Sequence, residues 1–577
     1  MKAVKFTINT DKQSVYKNLL YALLLALSSI FLIWKCRYGF GNIDESFYLT
    51  IPYRLFKGDA LFLHEWHLSQ MASVLTLPIV SLYLSIKGST EGIVLFMRYA
   101  CTVVQIATAL FVYVRLKKIN WLGATLSSIS YVLYIPFGIM AFSYNSMAIM
   151  ALVICIVIIL TAEKMKAFQY VIAGLFYAAA VLCCPYLAVV FFVYVFAVLV
   201  AGLVRRKKNN TIEKQFYFFT VKGAFCLSIG AIIAALTFAI FVFSRASLTG
   251  ILKAFPSIMN DPEHPPLSIF RITKTYIASI LVSNSIAKFV YPLLAVLFCI
   301  CIADKKRNEH RSIYLCIASL CTLALMLGYY FINSYINFIM WPINVLAFFI
   351  VILSKEKSIR NIFCSFWVIG ILYSYCLNAT SNQTFYAISS ASSVSLVGSI
   401  MIVCIFLKGL LEKNNTVKIK NVVVILISTV MALQIFMQVG LRYKSVFWET
   451  DMKSQNVLIE DGFNAGLYVT EEKHQMYYSS LESLKALEEY DAENVLYLSE
   501  NTWYYLVGDY NMSTYSAWLS GVKEHSVERL KAYFEINPEK MPDVVYVEKK
   551  YEDIATLFCN TFGYKVDKND TAIILVK

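Results

Sequence analysis

The chain has 577 residues, of which 59% are hydrophobic and 15% charged, and its mean hydropathy is +0.62. A soluble globular protein carries about 25% charged residues, so this composition excludes one and points to a polytopic membrane protein built on repeated apolar runs. The net charge of +14 divides unevenly: residues 1–440 hold 37 basic and 14 acidic side chains, and residues 441–577 hold 14 basic and 23 acidic. The basic residues sit in short clusters between apolar runs, which is a topology signal and not a nucleic-acid footprint.

The first apolar run, about 17–35, follows Lys2, Lys5, Lys12 and Lys17. No small-residue cleavage site follows it, so it is predicted to be a retained span. A long polar loop covers 36–90. Further spans are predicted at about 91–115, 119–139, 145–162, 167–183, 186–204 and 216–243. A second long loop, 244–276, precedes spans at about 277–302, 312–332, 337–354, 361–378, 385–408 and 421–440. The clusters Arg115-Lys117-Lys118, Lys164-Lys166, Arg205-Arg206-Lys207-Lys208, Lys305-Lys306-Arg307, Lys355-Lys357-Arg360 and Lys413-Lys418-Lys420 follow every second span. Positive residues mark the cytoplasmic side. The pattern therefore predicts thirteen spans in a cell membrane, with the N-terminus cytoplasmic and the segment after Leu441 extracytoplasmic. Residues 71–86, short and Pro-containing, are predicted to be an interfacial or half-inserted helix.

The predicted domains are 1–445, transmembrane, and 446–577, extracytoplasmic. In the latter, strands at 466–470, 494–499, 512–518 and 543–549 alternate with helices at 471–490, 501–507, 524–536 and 551–562. That alternation predicts a small parallel α/β domain. No glycine-rich phosphate loop joins a strand to a helix, so nucleotide binding is not indicated. The 14 cysteines are scattered through apolar runs without CxxC pairs and read as small buried apolar residues.

Ionisable residues crowd the two long outer loops. Asp44-Glu45 opens the first. A carboxylate beside an apolar wall has a raised proton affinity, which suits a general base that accepts a hydroxyl proton during attack on a sugar's anomeric carbon. Adjacent residues point apart, so the two acids need not share a role. His64-Glu65-Trp66-His67 offers either hydrogen-bonders around a sugar-stacking Trp or, in part, ligands for a divalent metal. Asp261, Glu263 and His264 lie between prolines in the second loop. Arg54, Lys57, Arg98, Arg245, Arg271, Lys274 and Lys288 lie near the outer face. Arg98 falls inside a span, where an unpaired charge is costly. It is expected to meet a first-loop carboxylate or a lipid phosphate, and Arg245 and Arg271 are placed to serve the same phosphate. Asn145, in the outer turn Ser143-Tyr144-Asn145-Ser146, suits either a helix N-cap or a ligand contact.

The order of these pieces resembles the GT-C membrane glycosyltransferases, in particular the bacterial relatives of protein O-mannosyltransferases and lipid A aminoarabinose transferases. The resemblance spans about 17–440 and rests on DESFYLTIPYRLFKGDALFLHEWHLSQMASVLTLP, RYACTVV, FSYNS and CCPYLA. It implies Asp44 as catalytic base with Glu45 behind it, and Arg98 matches an arginine common at the start of the next span. With the reading of the residues above, Arg98, Arg245 and Arg271 are expected toward the donor phosphate, and Glu65, Trp66, His67, Asn145 and His264 toward sugar or acceptor. Asn145 stands where many members carry Asp, and Glu65-Trp66-His67 replaces a Lys-Pro-Pro motif. The implied reaction is inverting transfer from a polyprenyl-phosphate-linked sugar to an extracytoplasmic acceptor: a cell-envelope glycan, a lipid or a protein. The alternative is a polytopic transporter or flippase for a lipid-linked precursor, which would place ionisable residues at mid-membrane.

Overall fold

The computed structural model describes residues 10–41, 43–162, 166–207, 220–262, 267–381, 383–412, 418–446, 449–519 and 521–577. His264, Glu263, Lys164, Lys208 and Lys413 lie outside the described residues. The chain is a multi-pass helical membrane protein with a small C-terminal sheet domain.

The first helices are α1 (Thr10–Lys35), α2 (Asp44–Phe56), α3 (Ser73–Lys87), α4 (Ile93–Leu116), α5 (Trp121–Leu133), α6 (Tyr144–Leu160) and α7 (Ala167–Cys183). They are followed by α8 (Leu187–Lys207), α9 (Val221–Phe243), α10 (Leu248–Met259), α11 (Ile269–Leu281), α12 (Ala287–Ala303) and α13 (Arg311–Gly328). The membrane part ends with α14 (Ile336–Met340), α15 (Pro342–Leu353), α16 (Lys357–Ile362), α17 (Val368–Thr380), α18 (Thr384–Ala391), α19 (Ser393–Glu412) and α20 (Lys418–Lys444). Among the described residues, nine helical segments are long and apolar enough to cross a membrane. Eight of them fall on predicted spans; the ninth, Gln70–Lys87, is the stretch expected to be interfacial. The other five predicted spans are shorter apolar helices.

The outward faces identify the solvent. On α9, Ile232, Leu236 and Ile240 are exposed, as are Leu23, Leu27 and Ile30 on α1, an apolar exterior that only lipid satisfies. Small residues let the spans approach. A Cβ on Gly174 would lie 2.1 Å from the Leu227 carbonyl oxygen, and one on Gly230 would lie 2.0 Å from that of Val171, so α7 and α9 touch backbone to backbone. The span predicted to reach 139 stops at Leu133 because Pro136 drives Ile135 into extended backbone (φ −143°, ψ 131°). Gln105 of α4 answers the opened helix end, donating its amide to the carbonyls of Val132 (3.0 Å) and Tyr134.

The C-terminal segment carries β1 (Val457–Leu458), β2 (Tyr468–Val469), α21 (Glu471–Leu484), β3 (Asn494–Leu498), β4 (Asn511–Met512), α22 (Glu524–Ile536), β5 (Val544–Glu548), α23 (Glu552–Phe562), β6 (Lys565–Asn569) and β7 (Ala572–Val576). β1 and β2 form a separate antiparallel ribbon, so the expected strand at 466–470 does not join the main sheet. The main sheet runs β4-β3-β5-β7-β6. Its first three strands are parallel, as the alternating pattern predicts, but β7 adds antiparallel to β5 and carries β6 at the edge. The sheet is therefore mixed. Alternation along β3 and β5 fills both faces: Leu496, Leu498, Val545 and Val547 pack with Leu530, Phe534 and Phe558, while Tyr497 and Tyr546 face Trp503 and Tyr504.

The sheet domain is knitted to the two long loops, 36–90 and 244–276. Trp66, Ala254 and Ile258, from the two loops, belong to its apolar core. Arg54 of α2 is 1% exposed and donates through Nε to Asp59 (2.8 Å), through Nη1 to Glu65 (2.6 Å) and through Nη2 to the Thr514 carbonyl (3.0 Å). Lys540 completes the network on Asp59. Burial pushes the Asp59 carboxyl up, but Arg54, His64 and Lys540 together hold it well below the usual range. Glu65 differs: burial outweighs Arg54 and leaves its carboxyl raised.

Removing one partner of such a buried network leaves the other charges uncompensated, at about 3–5 kcal/mol. Arg54→Met should therefore lower the melting temperature of the purified chain by several degrees. Lys57→Ala removes an ion pair to the Asp509 side chain, which is 91% exposed, and a hydrogen bond to the Asp509 carbonyl (3.2 Å), and should cost under about 1 kcal/mol. Equal melting of the two variants would refute the network's structural role.

Candidate active site

The site is built at the N-terminus of α2. Its first turn carries Asp44 and Glu45, as a helix dipole favours. Ile43 caps the helix without a side-chain hydrogen bond. The tail supplies what is missing: Thr502 donates to the Ile43 carbonyl (2.8 Å) and shares a hydrogen bond with Ser46 (2.6 Å). A helix turns about 100° per residue, so the two acids diverge.

Glu45 meets Arg98. The guanidinium grips both carboxylate oxygens, Nε to Oε1 and Nη2 to Oε2, each at 2.6 Å. Its remaining N–H groups go to the carbonyls of Cys36 (2.7 Å), Tyr38 (3.3 Å) and Gly39 (2.8 Å). Arg98 thus spends its five N–H groups inside the chain. Of the two expected partners, it takes the carboxylate; the geometry leaves no donor for a lipid phosphate. Gly39 must be glycine here: its φ is +74°, and a Cβ would lie 2.1 Å from Val446. Arg245 holds the other end of α2, donating through Nη1 to the Leu55 carbonyl (2.5 Å) and lying over the Phe241 ring (4.8 Å).

Asp44 stands apart. Of the loop's four acids, Glu45, Asp59 and Glu65 are paired with arginine. Asp44 is half-buried, and its carboxyl is pushed up to about 6 by burial alone. Tyr48, one turn along the same face, and Tyr144, the first residue of α6, pack edge to face at 5.6 Å. Asp44 acts electrostatically on the hydroxyls of both, and on that of Tyr386 on α18, which places all three near it. In the FSYNS turn the N-cap is Ser143, in a capping box with Ser146, and not Asn145. Asn145 is 1% exposed, and its Oδ1 finds no donor among the described residues. A carboxylate, three tyrosines and an unsatisfied amide oxygen thus converge beside α2.

The other expected residues separate. Trp66 is 1% exposed, wedged between Tyr515 and Tyr533 with its indole N–H on the Leu63 carbonyl (2.9 Å). It is packed as core, although it also borders the cavity that His67 lines. Glu65 is equally buried, in the Arg54 network. His67 is half-buried, packs on Phe47 (4.6 Å) and lines a cavity with Asp261, Trp518, His525 and Arg529. His64 lies 3.5 Å from Asp59 and from Glu539. The His64-Glu65-Trp66-His67 run does not converge on one point, and no group of three His, Cys, Asp or Glu among the described residues does; the side chains present do not fit a divalent metal. Arg271 is exposed on α11, with Lys274 one turn away. That helix reaches Asp44's surroundings through α17 and α18: Tyr276 meets Ser374 (2.7 Å) and Thr273 meets Tyr375 (2.8 Å).

Sequence reasoning missed Tyr48 and Tyr386. The four-residue step from Asp44 to Tyr48 was a usable signal. Nothing local tied Tyr386 to a residue more than three hundred positions earlier.

No family model matches the sequence, and no curated protein does. Among solved structures, the chain is similar to ArnT from Cupriavidus metallidurans bound to undecaprenyl phosphate, at 12% identity over 98% of each chain and a TM-score of 0.42. It is also similar to the Archaeoglobus fulgidus oligosaccharyltransferase in the apo form, at 11% identity over 93% of this chain and 70% of that one, with a TM-score of 0.41. Both neighbours are GT-C membrane glycosyltransferases.

Asp44 generates a stability prediction with a defined sign. Its folded carboxyl titrates near 6, against an ordinary 3.8, so folding takes up a proton between those values and the chain loses stability as pH rises through that window. Asparagine cannot ionise. Asp44→Asn should melt with the wild type at about pH 4 and above it at about pH 7, by up to about 3 kcal/mol. A variant less stable than wild type at neutral pH would show that Asp44 has a structural partner.

Proposed function

We propose that the chain is an integral membrane glycosyltransferase that moves a sugar from a polyprenyl-phosphate donor to an extracytoplasmic acceptor, with Asp44 as general base. The observation that carries this reading is that Asp44 alone among the first-loop acids is unpaired, desolvated and surrounded by hydroxyl-bearing side chains. A base is most effective when its proton affinity lies near the working pH, and a carboxyl raised to about 6 approaches that condition.

In the proposed reaction the acceptor O–H gives its proton to Asp44 as the oxygen attacks the anomeric carbon. The bond from that carbon to the phosphate oxygen breaks, the polyprenyl phosphate leaves with the electron pair, and the anomeric centre inverts. Tyr48, Tyr144 and the open Oδ1 of Asn145 offer hydrogen bonds to sugar hydroxyls. Arg271, with the unspent N–H groups of Arg245, is the remaining candidate for the departing phosphate, since Arg98 is committed to Glu45. The cavity lined by His67, Trp518 and Arg529 is the favoured side for the acceptor, because Trp518 packs at 5.4 Å on Phe47, one turn from Asp44.

The test is transfer from a panel of labelled polyprenyl-phosphate sugars by the purified full chain. Asp44→Asn should lower turnover by roughly 10²–10⁴-fold. Wild-type turnover should fall as pH drops through about 6, where the base becomes protonated. Arg271→Ala should raise the donor KM by roughly ten-fold with kcat little changed. Asp44→Asn retaining more than about a tenth of the rate would exclude Asp44 as the base.

A further inference from the structure

Behind the Arg98–Glu45 pair lies a second concentration of charge that the proposed chemistry does not use. Three cations line one narrow cavity: Lys35 at the end of α1, Arg98, and Arg442 at the end of α20. They are 1%, 3% and 4% exposed. Glu45 is the one acid in the lining, and both of its oxygens are on Arg98. Lys35 is also satisfied, donating to the carbonyls of Arg442, Tyr443 (3.2 Å) and Ser445 (2.6 Å). It caps the C-terminus of α20, where a helix favours a cation.

Arg442 is left over. Its Nε is buried and finds no acceptor among the described residues. The permanent charge that acts on it is a second guanidinium, Arg98, and Arg442 in turn disfavours a proton on Lys35. An uncompensated buried guanidinium is expensive: removal from water costs several kcal/mol per ion unless an opposite charge meets it. Protons offer no relief, because arginine stays charged in proteins. The carboxylates nearby serve the other two basic groups: Glu45 and Glu449 act on Arg98 and Asp451 acts on Lys35, and among the described residues none acts on Arg442. The other walls, Met140 and Val446 among them, are apolar.

We propose that this cavity is a structural anion site, occupied by a small inorganic anion of halide size held by Arg442. The size argument is direct: the free space is about that of one water molecule, too little for a phosphate or a lipid headgroup. The anion sits where the end of α1, the 38–41 segment and the end of α20 meet. Its charge offsets the repulsion of Arg442 for Arg98 and so stabilises the packing against which α2 is held. The inference is independent of the sugar-transfer reading, because it concerns the fold's charge balance and not the chemistry at Asp44.

The test is thermal unfolding of the purified full chain, with chloride replaced by gluconate at constant ionic strength. Raising chloride from about 1 to about 100 mM should raise the wild-type melting temperature by about 3 °C, as expected for a ligand bound to the native state alone. Bromide should substitute, and an anomalous bromide peak should lie against Arg442 in crystals. Arg442→Met should abolish the chloride shift, and Arg442→Lys should keep part of it. If Arg442→Met does not fold, the wild-type titration and the bromide peak still decide. Identical melting in chloride and gluconate, a bromide-free cavity, or a shift produced equally by phosphate would each overturn the assignment.

Discussion

The bidentate pair between Arg98 and Glu45 sets the geometry on which the rest of the site depends. It forms near the N-terminal end of α4, in surroundings where neither charge has water to fall back on. Its attraction is therefore strong, and so is the penalty for breaking it. Because the same guanidinium also takes the carbonyls of Cys36, Tyr38 and Gly39, the segment that leaves α1 is fixed to α4. Arg245 does the corresponding work at the far end of α2. The helix is pinned at both ends by arginines, one on α4 and one just past the end of α9, and its first residue lies against the tyrosine cluster.

Charge accounting separates reaction from architecture in this loop. Four acids stand in a short stretch, and residue type alone cannot say which one is chemical. The pairing can. Arg54 absorbs Asp59 and Glu65, Arg98 absorbs Glu45, and the cost of burial falls on Asp44 without relief. A buried unpaired acid lowers stability, so its presence calls for a use. The tail contributes to this arrangement even though its own residues carry no evident catalytic group: Thr502 steadies the start of α2, and Thr514 and Lys540 close the Arg54 network.

How much of this was legible in the sequence depends on range. The apolar runs located the spans because each is a local, repeated signal. The end of α5 differed from expectation through one residue, Pro136, whose effect on Ile135 is also local. The β6–β7 hairpin was missed although Asn569-Asp570 marks its turn. The site is a different matter. That Asp44 and Glu45 would diverge followed from helical geometry, but which of them would face Arg98 depends on where α2 begins. Trp66 and Glu65 looked like ligand-binding residues because their chemistry is versatile. What makes them core is a sheet folded from residues more than four hundred positions later, and no spacing rule reaches that far. Arg442 was hidden for the same reason: inside an apolar run it reads as a basic residue at a span's end, and only the fold shows that two other cations meet it there.

The account rests on Asp44 being desolvated and unpaired because Arg98 and Glu45 hold α2 in place. Isotope-edited infrared titration of the aspartate carboxyls, with Asp44→Asn to assign the band, measures this directly. The account predicts a wild-type Asp44 midpoint at about 6. In Arg98→Met the midpoint should fall toward the ordinary 3.8, as the helix start loosens and water enters. A wild-type midpoint already near 3.8, or one that does not respond to loss of Arg98, would contradict it.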